Sequence, residues 1–421
     1  MLSDEVIDKV IERLIRRIEK VNTYTLKQIA KTIKKMSTLA PSDTRKLIEI
    51  MNYGGDYEKI LKKLAKMSEM NEKEIYEIFD EVAKSDYQFA RQYYKYRDRK
   101  YIPYEFNKQL KDQVQAIASI TAEEYRNISR TLAFSRKGAD GKVIYSEIGQ
   151  TYQDVIDEGI ISLQQGKDTF NQQMRKIIKE LSKSGIKSVN WESGTSRRLE
   201  YAVRMHLQEG IRNLHNEMQM QIAKEIDADG IEISVHNNPA PDHQDAQGRQ
   251  FTINKYDENG VLIKQGEFEK LQETGIAKDY KDKEIDLHKH LKNGDSALTH
   301  RPISQYNCYH YTFSIVLGVN EPQYTNEQLE KINKRNLKGF EYGGKHYTMY
   351  EGTQLQRKIE NAIRKEKDTQ IMAKESGQDD LVQKSEKNIN TLLNEYLKVS
   401  KESGLPTKME RLRVDGYKQA N

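Results

Sequence analysis

The residues best suited to chemistry sit in two short runs. The first, VHNNPAPDHQDAQGRQF from Val235, carries His236, Asp242, His243 and Asp245, and the second, QYNCYH from Gln305, carries Cys308 and His310. Imidazole nitrogen and thiolate sulfur are ligands that zinc prefers. Four of them, His236 with His243 and Cys308 with His310, are the number a closed tetrahedral site needs. The spacing within each half matches no standard zinc-finger pattern, so residue type carries this expectation. Without a metal, Cys308 reads as a small buried hydrophobe and the loop histidines as hydrogen-bonded surface groups. Two catalytic readings compete. Cys308 would be a thiol nucleophile beside a histidine, or Asp242, His243 and Asp245 would hold the metal-bound water of a nuclease or peptidase. Neither has a recognisable local signature. His288 and His290 read as part of a solvated helical segment, and His300 with Arg301 as outer partners of the second run.

Both runs lie where the helical texture of the chain breaks. Between Ile231 and Gly318 fall six of the nine histidines, three of the seven prolines and the only cysteine. Ile231, Ile233 and Val235 alternate with Glu232 and Ser234 as in a half-buried strand. Pro239 and Pro241 then forbid helix, a second strand follows over 249–253, and a hairpin is expected around Asp257 to Gly260. If the apolar run Tyr311 to Leu317 extends back as a strand, Cys308 and His310 share one of its faces.

The flanks read as helix. Ile7, Ile11, Leu14 and Ile18 recur at helical spacing behind a possible N-cap at Ser3, and shorter helices are expected near 26–36 and 42–51. Asn71 with Glu74, and Thr121 with Glu124, look like capping boxes that open new helices. Residues 135–146 suggest a loop or small hairpin, 150–184 two helices broken near Gly166, and 195–226 a long helix in which His206 and His215 are ordinary positions. Gly339 to His346 begins like a phosphate-binding loop, but His346 replaces the hydroxyl residue that would hold magnesium, and Gly343-Gly344 reads as a hairpin turn. Two charge-rich helices, 350–374 and 380–401, precede a loosely held tail from Lys408. The expected fold class is mainly α with a small α+β module, long helices flanking a central irregular, strand-containing domain. The expected division is an N-terminal helical arm (1–134), a helical domain (135–228), the α+β module (229–350) and a C-terminal helical hairpin with tail (351–421).

Composition narrows the function. An apolar content of 36% against 32% charged suits long, partly exposed helices or an assembly subunit better than a compact enzyme. A net charge of +5 over 421 residues argues against nucleic-acid binding by the whole surface, leaving local patches. One such patch is 87–104, where tyrosines interleave with Arg91, Lys95, Arg97, Arg99 and Lys100. The cations could meet phosphates while rings stack on bases. Alternatively the tyrosines pack a neighbour and the cations face water. A single cysteine excludes an intrachain disulfide. No apolar run approaches the ~20 residues of a membrane span, and the charged start is unlike a signal peptide, so a soluble cytoplasmic product, or one that joins an assembly there, is expected.

Six motifs in order complete the reading: VHNNPAPDHQDAQGRQF, LQETGI from Leu271, QYNCYH, GVNEPQYTNEQL from Gly318, YGGKHYTMYEGTQLQRKIENAIRKEK from Tyr342, and YLKVSKESGLPTKMERLRV from Tyr396. This string resembles the phage minor capsid proteins of the type-2 group, related in role to portal-associated head-morphogenesis proteins. The likeness is close over the C-terminal half and extends to the N-terminal arm in its helical character. It implies that His236, His243, Gln247, Gly248, Asn307, Cys308 and His310 recur as a set. Tyr309 stands where arginine is usual, and Ala246 where an aromatic is usual. It also implies a structural virion protein of a tailed bacteriophage, assembled in the host cytoplasm into the head near the portal vertex. Portal and major capsid proteins are then the expected partners, with a role in DNA packaging or ejection; DNA contact through Arg91, Lys95 and Arg97 is expected from the 87–104 segment itself. The alternative is a metal-dependent hydrolase delivered with the virion. Zinc on His236, His243, Cys308 and His310 is the expected metal.

Overall fold

The structure is a computed structural model that describes residues 4–39, 54–137, 142–190, 196–240, 243–244, 246–274, 276–278, 284–286, 303, 308 and 310–417. Helix α1 spans Asp4–Ser37 without a break. Ile11, Leu14, Ile18, Val21, Leu26, Ile29, Ile33 and Met36 recur every three to five residues and are all buried, so one continuous apolar stripe holds the helix. The interruption expected between Ile18 and Leu26 is absent. Asn22, Thr23 and Thr25 are buried there, and the Thr25 hydroxyl donates to the Val21 carbonyl at 2.9 Å.

Helix α2 (Gly54–Tyr96) runs straight through Asn71 and Glu74, and α3 (Lys108–Arg130) through Thr121 and Glu124. The capping signals are real chemistry with other partners. Asn71 accepts from Arg17 at 3.0 Å and donates to the Tyr125 hydroxyl at 3.0 Å, while Glu74 pairs with Arg13 and Arg17. Once a polar side chain has such a partner, it no longer competes for the backbone, and the helix continues.

Contacts gather the chain into two compact units. Unit 1 holds Met1–Ile7, Tyr76–Thr121 and Leu207–Gln354; unit 2 holds Asp8–Ile75, Ala122–His206 and Leu355–Asn421. In unit 2, β1 (Leu132–Lys137) and β2 (Val143–Glu147) form the expected hairpin. With β3 (Lys187–Val189) and β4 (Ser196–Arg198) they make an antiparallel sheet of order β2-β1-β3-β4. Helices α4 (Ile148–Gln164) and α5 (Lys167–Ser184) break at Gly166, whose φ of 113° an L side chain resists. Helix α6 is Leu199–Glu225, and the two C-terminal helices turn out to be Met349–Ser376 and Asp379–Ser403. The tail is better held than expected. Leu412 is buried, Lys367 donates to its carbonyl at 2.7 Å, and Thr23 donates to the Asp415 carbonyl at 3.1 Å.

Unit 2 also buries charge. Arg198 sits 2.8 Å from Asp368 and 2.7 Å from Glu200, and Arg364 pairs with Glu19 and stands 3.6 Å from Glu200. Three carboxylates thus share two guanidiniums. Burial pushes the Glu19 carboxyl up to about 7; Arg364 opposes the shift, while Glu200, Glu12 and Asp368 reinforce it. The folded protein therefore keeps a proton that the unfolded chain releases near 4.5. This contribution to stability is full below about pH 4.5 and is lost as pH rises through 7, on the order of 3 kcal/mol in all. Melting midpoints measured from pH 5 to pH 8 are expected to fall, and Glu19→Gln is expected to flatten that fall. An unchanged slope in the variant would refute the assignment.

Unit 1 is built on a three-stranded antiparallel sheet of order β11-β5-β6, with β5 (Gly230–Ile233) between β6 (Gln250–Thr252) and β11 (Thr312–Ile315). A hairpin pairs β7 (Lys255–Tyr256) with β8 (Leu262–Lys264). The elements that follow are α7 (Glu267–Thr274), the short pair β9 (Ile276–Lys278) and β10 (Glu284–Asp286), and α8 (Asn326–Lys338). Strands β12 (Phe340–Tyr342) and β13 (Lys345–Tyr347) turn on Gly343-Gly344, both at positive φ, as a hairpin requires and a phosphate-binding loop does not. Ile233, Ala246, Phe251, Leu271 and Ile303 form the core beneath the sheet. The mainly α fold with a small α+β module is thus what the chain adopts. Among the described residues no helix is long and apolar enough to cross a membrane.

Candidate metal centre

All four residues of β5 are buried, although alternation predicts that Glu232 faces water. Its carboxylate is met inside by Gln250 at 2.9 Å and by the Gln323 backbone N–H at 3.1 Å, so burial leaves it hydrogen-bonded. Beyond Ile233 the chain stays tied to the strand opposite. Ser234 N–H donates to the Tyr311 carbonyl at 2.8 Å, and Tyr311 N–H donates to Ser234 Oγ at 2.9 Å. This brings His236 alongside His310.

His243 enters through a single turn. Ala246 and Gln247 N–H groups donate to its carbonyl at 3.2 and 3.1 Å, and Gly248 N–H then donates to the Ile233 carbonyl at 2.8 Å, pinning the turn to β5. Gly248 has φ +70°, and a Cβ there would lie 2.5 Å from Leu329 Cδ2 and 2.7 Å from Val235 Cγ2. Gly248→Ala combines left-handed strain with overpacking and is expected to cost about 2–4 kcal/mol, read as a lower urea midpoint. A loss under about 1 kcal/mol would contradict this packing.

Helix α8 holds the same turn through two asparagines three residues apart on one face. Asn333 donates to the Gln244 carbonyl at 3.2 Å, and Asn336 donates to the Pro239 carbonyl at 3.2 Å and Gln244 Oε1 at 3.1 Å. Neither residue stands out in the sequence, although their i, i+3 spacing in a helix with a clear capping box at Thr325 is a usable signal.

His243, Cys308 and His310 converge, and all three are buried. Cys308 Sγ lies 3.4 Å from His243 Nδ1 and 3.3 Å from His310 Nδ1. Tetrahedral zinc, with Zn–S about 2.3 Å and Zn–N about 2.0–2.1 Å, sets S···N edges near ~3.6 Å, close to both S···N distances here. Hydrogen bonds also choose the ligating nitrogen. Gln247 Oε1 accepts from the His236 backbone N–H at 2.9 Å, which orients its amide, and lies 3.2 Å from His310 Nε2. His310 must donate there, which leaves a lone pair on Nδ1, directed to Cys308. An outer partner that fixes a histidine tautomer is a common companion of metal ligation.

His236 stands beside the trio, its ring edge-on to that of His310 with centroids 4.7 Å apart, and is not among the three whose ligand atoms converge. Cys308 and His310 precede β11 and reach the centre from the segment leading into it. Asp242, Asp245, His288, His290, His300, Arg301 and Asn307 lie outside the described residues.

His215, an ordinary helix position by sequence, is a buried clamp. Its Nδ1 lies 2.7 Å from Asp86 Oδ2 and its Nε2 lies 2.9 Å from the Thr312 carbonyl, so it joins α2, α6 and β11 close to His310. In the 87–104 segment, Tyr87, Tyr94 and Tyr104 are buried, and Tyr87 stacks on Tyr101 at 5.1 Å, so these rings serve packing. Arg97 donates to the Asp227 carbonyl at 3.2 Å, while Arg91 and Lys95 are exposed.

The family described as phage minor capsid protein 2 matches residues 2–397. No curated protein and no solved structure matches the chain. With nearly its whole length covered, the chain belongs to the phage minor capsid protein 2 family.

Proposed function

We propose that the chain is a structural protein of the phage head, added near the portal vertex, where it contacts portal and major capsid proteins and aids DNA packaging or ejection. A zinc ion bound by His243, Cys308 and His310, with His236 as fourth ligand, staples unit 1. The observation that carries this reading is family membership over residues 2–397, combined with a ligand trio that is buried. With His236 added the site would be closed, as suits a staple, whereas a catalytic zinc would keep an open position for water beside the three. Cys308 and His243 are 65 residues apart, so joining them through a metal would withdraw loop entropy from the unfolded chain.

Metal analysis of protein purified without a histidine tag tests the staple. About one zinc per chain is expected from the four-ligand chemistry. Cys308→Ser with His243→Ala should lose both the metal and several degrees of melting midpoint. Wild-type protein free of metal removes the staple and leaves the capsid role standing. For that role, quantitative mass spectrometry of purified virions and of portal-less heads is expected to find a few copies per virion and none in the latter. Equal amounts in both would refute placement at the portal. DNA contact through Arg91, Lys95 and Arg97 belongs to the same proposal and predicts steep salt dependence that weakens when these residues are replaced.

A further inference from the structure

Unit 2 holds three lysines that have no carboxylate at ion-pair distance among the described residues, grouped around an arginine that has two. Lys187 stands directly opposite Arg198 in the β3–β4 ladder, where like charges repel. Lys365 and the exposed Lys183 approach from two helices: the hydroxyl of Ser182 lies 2.7 Å from that of Thr369, one turn after Lys365, and Asp368, which Arg198 meets at 2.8 Å, is three residues after it. Burial lowers the Lys365 ammonium below the usual lysine range, and Arg198, Lys187 and Lys183 push it further down; Glu200 opposes them as the smallest contribution. Burial and then Arg198 lower Lys187 in the same way. Both lysines are half-buried, and among the described residues none of Lys183, Lys187 and Lys365 has a carboxylate at ion-pair distance. Asp368 accepts from Arg198 Nη2 at 2.8 Å and Glu200 lies 2.7 Å from Nε as an ion pair, while Nε and Nη1 are both buried without a hydrogen-bond partner. Hydroxyls line the same place: Lys187 Nζ donates to Ser196 Oγ at 3.4 Å, and Ser196 Oγ donates to the Tyr145 hydroxyl at 2.9 Å.

We infer that Lys183, Lys187 and Lys365, backed by Arg198 and Ser196, form a binding site for a phosphate-class anion. Half-burying lysines among like charges costs free energy unless an anion enters, and a phosphate group turns each repulsion into a charge-assisted hydrogen bond. Three ammonium groups suit it because each is a compact donor that adjusts to a tetrahedral set of oxygens. The phosphate could be a free ion or belong to a nucleic-acid backbone.

The test compares melting midpoints in chloride and in inorganic phosphate at matched pH and ionic strength. Phosphate at a few times its dissociation constant is expected to raise the wild-type midpoint by about 2–4 °C. Lys187→Ala and Lys365→Gln should abolish this rise, Lys187→Arg should keep it, and in chloride the first two should leave the midpoint unchanged or raise it by relieving repulsion. A rise retained in both variants is a solvent effect and overturns the site. So does a lower midpoint for both in chloride with no phosphate effect in the wild type, which assigns the lysines to packing. Broadening of the phosphorus NMR line of inorganic phosphate by wild-type protein reads the contact directly, and no broadening overturns the site even if a variant fails to fold. A labelled duplex DNA separates the sources. Displacement by inorganic phosphate together with weakening by Lys187→Ala supports a backbone phosphate at the site, and binding indifferent to both supports a free ion.

Discussion

Arg198→Met is expected to destabilise unit 2 by about 3–5 kcal/mol, because it strands two buried carboxylates that now share one guanidinium. Asp368 is essentially inaccessible, at 1% exposure, and Glu200 nearly so at 2%. Leaving a charge unpaired in such a place costs far more than the pair itself contributes, since the attraction within a buried pair is largely offset by the desolvation of both ions. The double variant Arg198→Met with Asp368→Leu should therefore recover much of the loss, with Arg364 left to neutralise Glu200 from 3.6 Å. Denaturant midpoints, with hydrogen exchange on the helix that carries Asp368, measure both. A single variant that loses less than about 1 kcal/mol would mean the site is wetter than its burial indicates. Burial is the main reason Glu19 holds its proton to about 7, and the neighbouring acids Glu200, Glu12 and Asp368 add to it against the pull of Arg364.

His215→Ala is expected to cost unit 1 a similar amount, about 3–5 kcal/mol, by breaking a buried charge-assisted pair and orphaning the Asp86 carboxylate. The ring bridges two oxygens, Asp86 Oδ2 at 2.7 Å and the Thr312 carbonyl at 2.9 Å. Asp86 Oδ1 already lacks a hydrogen-bond partner, which leaves nothing to take up the charge once the ring is gone. Because the ring also holds the Thr312 carbonyl, two residues after His310, the variant should retain zinc less tightly if the staple is present. His215→Gln, which can donate to only one of the two acceptors at a time, should fall between alanine and wild type. An alanine variant as stable as wild type would show that the clamp contributes nothing.

The correct and incorrect expectations divide along physical lines. Turn chemistry was readable at two local signals: Gly343-Gly344 makes the hairpin and Gly166 separates two helices, whereas the capping box of Thr325 with Gln328 emerged only in the structure. Asn71 and Thr121 carry the same kind of signal, and there it misled. Asn71 is taken by Arg17 and Tyr125, and Thr121 packs against Gly210, where a Cβ would come within 2.4 Å of its hydroxyl. Glu232 shows the same limit in a strand, since alternation places it in water and Gln250 and Gln323 bring it inside.

By itself the sequence determined the helical character, the family, and the residue types from which a zinc site would be made, because each depends on composition or on patterns within a few residues. Tertiary structure alone decided that His243, Cys308 and His310 converge while His236 stands beside them. It also made His215 a clamp and brought Arg198 and Lys187 face to face. Those outcomes depend on contacts between segments distant in the chain, and no local propensity encodes which distant side chain will satisfy a buried polar group.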